Sequence, residues 1–175
     1  MVEFHTGYIP GAIGRIAELH GIYYHQHWGF GVFFEARVAT DLSEFLKNYI
    51  QARDRLWTIS QAGRIEGSIA IDGSQADTEG AHLRWFIVAE ALQRKGYGSQ
   101  LITLALDFCR KKGYSNLFLN TFEGLETARH LYEKNGFQLV EQRTGAQWGK
   151  EVNEQRYELT RLEYVITRGW SRKRI

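Results

Sequence analysis

The chain has 175 residues, 43% of them hydrophobic and 14% aromatic, which is enough to bury one substantial core and favours a single domain over residues 1–175. The formal net charge of +2 gives no strong field of the kind that a nucleic-acid or membrane-surface partner needs. The lone cysteine, Cys109, excludes an internal disulfide, and no uncharged run reaches the length of a membrane span, so we expect a cytoplasmic protein with neither partner.

The first half of the chain predicts a strand, two helices and a β-hairpin. A strand is expected at residues 2–8, followed by a helix after Pro10, where apolar residues recur at helical spacing as far as Tyr23. The same spacing predicts a second helix from Val32 to about Arg53. Two strand-like segments, residues 56–60 and 64–71, are joined by a Gln-Ala-Gly turn, which is typical of a hairpin.

The second half of the chain predicts strands and helices in alternation. A central strand at residues 81–88 precedes a helix from about Ser99 to Lys112, which Gly113 ends. Further strands are expected at 116–121, 137–142 and 155–162, with a helix near 125–134. This order indicates a mixed α/β domain rather than a doubly wound nucleotide-binding fold.

Two glycines, Gly96 and Gly98, precede the helix that follows the central strand. They allow the backbone to approach a ligand, and the free N–H groups at the helix start then face an anion. Arg94 and Lys95 add positive charge there, which suits a pyrophosphate. A dinucleotide fingerprint would need a third glycine where Leu101 stands, and no P-loop Gly-Lys-Ser/Thr follows.

Two motifs resemble those of the GNAT superfamily of N-acetyltransferases. Gln93, Gly96 and Gly98 match the acyl-CoA signature Gln/Arg-x-x-Gly-x-Gly/Ala, and residues 128–137 are similar to Ala-x-x-Leu-Tyr-x-x-x-Gly-Phe. The resemblance covers nearly the whole chain. It implies an α/β acyl-CoA N-acyltransferase fold, in which a mixed, mostly antiparallel central sheet is flanked by helices on both faces.

A narrower resemblance lies in the N-terminal segment. Residues 7–11 and 20–24, with Trp28 and Gly29 beyond them, are similar to acetyltransferase domains that some bacteria carry fused behind a winged-helix regulator. No such regulator is present in this chain, so a standalone domain is expected.

The family resemblance implies a binding site for acetyl-CoA along the central strand and the glycine turn. Many members contact the cofactor with an asparagine seven residues before the motif tyrosine, but this chain has Leu125 there, so Asn120 or Thr121 is expected to take that place. The backbone amides from Arg94 to Ser99 would hold the pyrophosphate. The implied cofactor residues are Phe86, Ile87, Val88, Gln93, Arg94, Lys95, Gly96, Tyr97, Gly98, Ser99, Asn120 and Thr121.

Two residues are candidates for proton transfer. Tyr132 falls on the motif tyrosine that can protonate the departing CoA thiolate, and the alternative is a tyrosine that only packs its helix on the sheet. His82 aligns with a catalytic glutamate of some histone-modifying members, and an imidazole titrates in a useful range for a general base. His82 could equally be an exposed residue at the strand start. Glu90 is a weaker candidate base, expected to face solvent.

The acceptor site is expected near the first helix and the central strand. In this fold the first helix and the following loop usually form the acceptor wall, which makes His20 and Tyr24 candidate substrate contacts. Arg84 shares a strand face with His82 and would contact an acidic substrate or a substrate carboxylate, or else form a structural ion pair. No metal is predicted, because His25 and His27 point to different sides of a helix and no ligand cluster accompanies them.

These residues predict an acetyl-CoA-dependent N-acetyltransferase that acts on a primary amine of a small molecule or amino-acid-like acceptor. The alternatives are a protein lysine or N-terminal acetyltransferase, and an acyl-CoA-binding sensor that has lost catalysis. A homodimer is left open. The basic tail at residues 161–175 is expected to be a solvated terminus, with docking to an acidic partner or a second subunit as the other interpretation.

Overall fold

Seven strands and four helices follow one another in a computed structural model, which describes residues 1–160 and 162. The predicted order of these elements is confirmed, and a short 3-10 turn, Glu90–Leu92, is added before the third helix. No helix in this described part is long and apolar enough to cross a membrane. The elements are β1 (Val2–Thr6), α1 (Ala12–Trp28), α2 (Val32–Lys47), β2 (Arg55–Gln61), β3 (Arg64–Asp72), β4 (Ala81–Val88), α3 (Tyr97–Lys112), β5 (Asn116–Phe122), α4 (Glu126–Lys134), β6 (Gln138–Gly145) and β7 (Val152–Thr160).

The largest difference from the predicted boundaries lies at the end of α2. The helix ends at Lys47 rather than near Arg53, because the buried carboxylate of Asp54 organises the following turns. Its oxygens accept hydrogen bonds from the backbone N–H groups of Ile50 and Gly73, both at 2.9 Å. The apolar spacing in this segment belongs to a turn and not to a helix.

The strands form one sheet in the order β1-β2-β3-β4-β5-β7-β6, in which β4 and β5 are parallel and the other neighbours antiparallel. One face is covered by α1 and α2, and the other by α3, with an apolar cluster on each side. The predicted fold class is therefore confirmed. Cys109 lies in the α3 cluster, where burial raises the pKa of its thiol to about 12, so it is a core residue.

A β-bulge at Trp85 changes which side chains of β4 face each layer. Trp85 has a φ of 46° and the pairing register with β3 shifts between Ser68 and Ala70. Before the bulge, Leu83 belongs to the cluster under α3, whereas Trp85 and Ile87 after it belong to the cluster under α1 and α2. The bulge therefore places Arg84 and Trp85, which are adjacent in sequence, on the same side of the sheet, where the guanidinium carbon lies 4.2 Å from the ring centre.

The sheet opens between its two parallel strands. β4 and β5 are paired only at Ala81 with Leu117 and at His82 with Phe118, after which the strands diverge. The edge of β4 beyond residue 82 is consequently free of strand pairing on the β5 side. This divergence creates the opening that the functional site occupies.

Replacement of Ser68 by alanine tests the bulge. The Ser68 hydroxyl donates a 2.6 Å hydrogen bond to the Trp85 carbonyl, and its loss leaves that buried carbonyl without this donor. We expect the free energy of unfolding in urea to fall by about 1–2 kcal/mol. Ser74→Ala, in the exposed loop after β3, is the control, and equal stabilities of the two variants would contradict this account.

Candidate active site

A cleft of about 650 Å³ lies at the opening between β4 and β5. The end of β4 and the start of α3 form one wall, and the start of α4, residues 126–131, forms the other. The aromatic side chains of Tyr23, Tyr24 and Trp28 on α1 close the cleft from the third side. Its volume suits an extended ligand, and the helix start in its wall suits an anionic group on that ligand.

The start of α3 has the features of an anion-binding site and lies in the wall of this cleft. Gly96 caps the helix with a φ of 85°, and Arg94 before it also has a positive φ of 60°. The first hydrogen bond of the helix runs from the Gln100 N–H to the Gly96 carbonyl at 3.1 Å. The N–H groups of residues 97–99 therefore have no acceptor within the helix. Such a helix start carries partial positive charge and free donors, which suit a phosphate group.

The two motif glycines are required for different reasons. Gly96 needs a left-handed backbone, although a Cβ there would meet little but Gln100 Nε2 at 4.0 Å. A Cβ on Gly98 would lie 3.3 Å from Leu131 Cδ1 and 3.6 Å from Phe86 Cζ, and would therefore enter the cleft. Together the glycines fit the backbone approach that the sequence predicts for a pyrophosphate.

Most of the predicted cofactor residues line the cleft. Lys95 and Tyr97 are not among them: the Lys95 ammonium donates to the Ala91 carbonyl at 2.8 Å, and the Tyr97 ring lies 6.3 Å from that of Phe4. Asn120 and Thr121 do not line it either. Those that do are Phe86, Ile87, Val88, Gln93, Arg94, Gly96, Gly98 and Ser99.

A second cavity of about 170 Å³ adjoins the cleft, and Tyr24 and Phe86 line both. Its lining is largely aromatic, and we call it the acceptor cavity. Asn120 and Thr121 line this cavity and not the cleft. Alternation along β5 places Asn120 on the same face as Phe122, which belongs to the cluster under α1 and α2. The structure also brings together in this cavity five residues that the sequence proposed for catalysis or acceptor binding, namely His20, Tyr24, His82, Arg84 and Tyr132, but not the weaker candidate Glu90.

Comparison with known proteins decides the family. The model of the acetyltransferase (GNAT) family matches residues 14–137. The chain belongs to this family. The predicted N-acetyltransferase domain is thereby confirmed, with the GNAT motifs at the start of α3 and in α4 falling where the cleft has its two walls.

The GNAT chain is similar to several curated N-acetyltransferases over part of their length. It is 29% identical to N-acetyltransferase family 8 member 2 of Rattus norvegicus over 101 residues, which are 56% of this chain and 45% of the relative. It is 27% identical to the uncharacterized N-acetyltransferase YjgM of Escherichia coli over 108 residues, 60% of this chain and 64% of the relative. The chain spans about half the length of the mammalian relatives that it matches.

Solved structures share the fold of this GNAT domain. An acetyltransferase of the GNAT family from Staphylococcus aureus superposes with a TM-score of 0.73 at 15% identity, covering 91% of this chain and 99% of that one. The ribosomal-protein-S18-alanine N-acetyltransferase of Escherichia coli gives a TM-score of 0.65 at 18% identity, with 96% and 98% covered. At these identities the likeness establishes the fold alone.

The GNAT motif tyrosine, Tyr132, is buried and lines the acceptor cavity next to Phe86, which lines both cavities. Its ring lies 6.1 Å from that of Phe86 and 6.0 Å from that of Tyr157. Burial raises the pKa of Tyr132 far above that of a free phenol, and the neighbouring phenol of Tyr24 raises it further. The hydroxyl therefore keeps its proton across the physiological range, as a hydrogen-bond donor must. Its role as an acid stays a prediction.

His82 does not titrate near neutral pH, which was the reason for proposing it as a general base. Burial, and then the charges of Arg84 and Arg156, lower the pKa of its imidazole to about 3. The ring is not exposed at the strand start but stacks on Phe118, with ring centres 4.2 Å apart. The expectation that this imidazole titrates near neutral pH is wrong, and a neutral His82 is a weak base.

Arg84 forms structural ion pairs, which was one of the two roles that the sequence suggested beside a contact with an acidic substrate. Its guanidinium lies 3.2 Å from Asp41 of α2 and 3.5 Å from Asp72 at the end of β3. Burial lowers the pKa of Arg84, and the two carboxylates oppose that shift. The side chain nevertheless lines the acceptor cavity, so a contact with a substrate carboxylate stays a prediction.

Sequence reasoning missed the contribution of α2 to the acceptor cavity. Arg37 and Asp41 lie one helical turn apart and both line it, with Arg37 donating to the Gln147 carbonyl from the loop between β6 and β7. Their four-residue spacing was a usable signal of a shared helix face. Nothing in the sequence connects that face to Gln147, 110 residues further along.

The remaining candidates lie outside this cavity. The Glu90 carboxylate is exposed and lies 2.7 Å from His27 Nε2, whereas the His25 ring is bonded to the Phe30 carbonyl at 2.8 Å. The two histidines thus have separate partners. In residues 1–160 and 162, no three His, Cys, Asp or Glu side chains are grouped as metal ligands.

The lowered pKa values of His20 and His82, which line the acceptor cavity, predict that the protein loses stability in mild acid. Burial lowers the pKa of His20 from 6.5 to about 4 and that of His82 from 6.5 to about 3. Between these values the unfolded chain binds more protons than the folded one, so the free energy of unfolding falls as pH is lowered from about 6.5 toward 4. We expect a loss of about 2 kcal/mol or more across this range.

Chemical denaturation at a series of pH values measures this effect. The double variant His20→Gln/His82→Gln should flatten the curve between pH values of about 6.5 and 4. His130→Gln, which removes an exposed imidazole, is the control. A double variant that keeps the wild-type slope would show that these two histidines are not responsible.

Proposed function

We propose that this GNAT protein transfers an acetyl group from acetyl-CoA to the primary amine of a small or amino-acid-like acceptor. One observation carries the proposal: a cleft of about 650 Å³ with a glycine-lined helix start meets an aromatic cavity of about 170 Å³ at Tyr24 and Phe86. A long anionic donor and a small acceptor would thus reach one junction from two sides.

The residues of the cleft fit acetyl-CoA. The amides at the start of α3 suit the pyrophosphate, and the edge of β4 beyond residue 82, which has no strand partner on the β5 side, offers backbone groups to the amides of pantetheine. The Val88 carbonyl at the end of β4 accepts a 2.9 Å hydrogen bond from the Gln93 side chain, which a pantetheine amide there would share or replace. A side chain at Gly98 would occupy this path, which is why glycine is needed there. The thioester, when bound, supplies an acyl carbon that an amine nitrogen attacks.

The acetyl transfer balances when one proton leaves the acceptor nitrogen and one reaches the departing sulfur. The N–C bond forms as the C–S bond breaks. Tyr132 keeps its proton in the folded protein, lines the acceptor cavity and packs against Phe86, which lines both cavities, so its hydroxyl is available to the sulfur as a hydrogen-bond donor and proton source. His82 is too weak a base to deprotonate an ammonium at neutral pH. The acceptor is therefore expected to react as the neutral amine, which the aromatic side chains of the cavity favour.

The charges of the acceptor cavity support an amino-acid-like substrate. Its charged lining residues are Arg37, Arg84 and Asp41, and Asp72 also lies 3.5 Å from the Arg84 guanidinium, while burial keeps both of its histidines neutral near pH 7. A carboxylate on the acceptor would bind these guanidinium groups in competition with Asp41 and Asp72. The cavity volume of about 170 Å³ favours a small group at the reacting end.

Release of free thiol from acetyl-CoA, measured across a panel of aliphatic amines, aromatic amines, amino acids and a lysine peptide, tests this function. We expect turnover with small amines or amino acids above the peptide. Acetyl-CoA binding without turnover would favour the sensor interpretation, and preference for the peptide would favour protein acetylation. Failure to bind acetyl-CoA at all would overturn the proposal.

A further inference from the structure

A third cavity, of about 210 Å³, lies beside the acceptor cavity on the face of β5, β7 and β6. We call it the polar groove. The strand register places Asn120 opposite Arg156, and Arg156 opposite Glu141, so a row of polar side chains crosses the three strands. A second row places Glu154 opposite Arg143. This half of the sheet thus presents a hydrogen-bonding surface that begins where the acceptor cavity ends.

The polar groove and the acceptor cavity are continuous. Asn120 and Gln147 line both of them. A stack of rings runs beside this connection: His82 of the acceptor cavity lies over Phe118 at 4.2 Å, and the guanidinium of Arg156 in the groove lies over the same ring at 4.0 Å. A ligand in the acceptor cavity could therefore extend into the groove between Asn120 and Gln147.

The two guanidinium groups of the groove each lie beside two carboxylates. Arg156 lies 2.7 Å from Glu158 and 3.6 Å from Glu79, and Arg143 lies 3.5 Å from the buried carboxylate of Glu154 and 3.7 Å from Glu141. The Glu154 carboxylate also accepts a 2.8 Å hydrogen bond from the Gln147 N–H. Neither guanidinium is therefore free to bind an anion, and the groove suits an uncharged polar group instead.

The two residues at the connection are suited to bind such a group. The backbone of Gln147 is fixed on both sides, because its N–H donates to Glu154 and its carbonyl accepts from Arg37. Asn120 is exposed and Gln147 is half-buried, and the side-chain carboxamide of each has an acceptor oxygen and two donor hydrogens. An amide group between them could be bonded from both sides.

We propose that Asn120 and Gln147 bind an amide group in the acceptor, so that the substrate is an amine with an amide-containing tail that runs into the polar groove. This inference rests on the proposed acetyl transfer, since it takes the amine end to lie in the acceptor cavity. It also gives Asn120 an acceptor role in place of the cofactor role that the sequence suggested. The cavity of about 170 Å³ then binds only the reacting end of a longer molecule.

Three amines of defined shape test the proposal by turnover. Butylamine reports on acetyl transfer alone, N-(4-aminobutyl)acetamide carries the amide, and 6-methylheptylamine is its hydrocarbon isostere. We expect kcat/KM for the amide amine to exceed that for the isostere by about tenfold or more. In Asn120→Leu and Gln147→Leu the ratio of the two values should approach one. Gln138→Leu makes the same change on the exposed part of β6 and should keep the wild-type ratio.

Nuclear magnetic resonance tests binding without turnover. The side-chain amide signals of Asn120 and Gln147, assigned by their absence in the leucine variants, should shift when the amide amine is added to the protein with CoA, and not with the isostere. Acetylation of the amines with equal efficiency and no such shifts would overturn this inference and leave acetyl transfer standing. Shifts without turnover of any amine would retain the binding site and count against the proposed function. Neither shifts nor turnover would overturn both.

Discussion

We expect Gly96→Glu to abolish measurable binding of acetyl-CoA. The glutamate would place a negative charge beside the helix start that we propose as the pyrophosphate site, and like charges held this close cost several kcal/mol, or about 100-fold or more in affinity. The left-handed backbone at Gly96, with a φ of 85°, adds a conformational cost of about 1 kcal/mol for any other residue. Isothermal titration calorimetry with acetyl-CoA measures the effect.

The other end of α3 provides a matched control for this variant. Gly113 caps the same helix with a φ of 72°, and a Cβ there would meet nothing within 4 Å. Gly113→Gln and Gly96→Gln therefore impose a similar backbone cost, but only the second lies in the cleft. We expect Gly113→Gln to bind acetyl-CoA like the wild type, and Gly96→Gln to bind more weakly without losing binding. Unchanged affinity in Gly96→Glu would remove the cofactor assignment of the cleft.

The parts of the fold that sequence predicted are those in which local chemistry decides the structure. Gly96 and Gly113 set the ends of α3, and apolar periodicity located both of the long N-terminal helices. The predicted end of α2 was wrong because Asp54 organises the chain there. Its carboxylate accepts a hydrogen bond from the N–H of Gly73, 19 residues away. The spacing of apolar residues along the chain does not reveal that contact.

The site shows the same division between local and distant effects. The start of α3 was predicted because the glycines, the helix start and the cations adjoin in sequence. Asn120 was suggested as a cofactor residue because it lies near the end of the strand before α4, and that position does not say that its side chain lines the acceptor cavity. The alternation of Phe118, Asn120 and Phe122 would have shown that they share a face, but not that α2 and the loop with Gln147 complete the cavity there.

His82 illustrates how burial changes a prediction based on residue type. An imidazole at the start of a strand was a reasonable base in sequence, since its ordinary pKa is near neutral. The fold encloses it and brings Arg84 and Arg156 close, and both act against a further positive charge. Of the two groups proposed for proton transfer, only Tyr132 retains a protonation state suited to its role.

Tyr132→Phe is therefore expected to lower kcat by about 100-fold and to leave KM for acetyl-CoA within about twofold of wild type. The ring that packs against Phe86 is kept, and only the hydroxyl that can protonate the departing sulfur is lost. Because burial raises the pKa of Tyr132, the wild type should show no loss of activity from its ionisation up to a pH of about 10. Steady-state kinetics at saturating acceptor measure both effects.

Tyr157→Phe separates catalysis from packing in this comparison. Tyr157 is buried with its ring 6.0 Å from that of Tyr132, but it is not among the residues that line the cleft or the acceptor cavity. Its variant loses a hydroxyl from the same cluster and should keep kcat near the wild-type value. If Tyr132→Phe also turns over at the wild-type rate, Tyr132 serves only to pack α4 on the sheet, and water at the junction of the two cavities must protonate the sulfur.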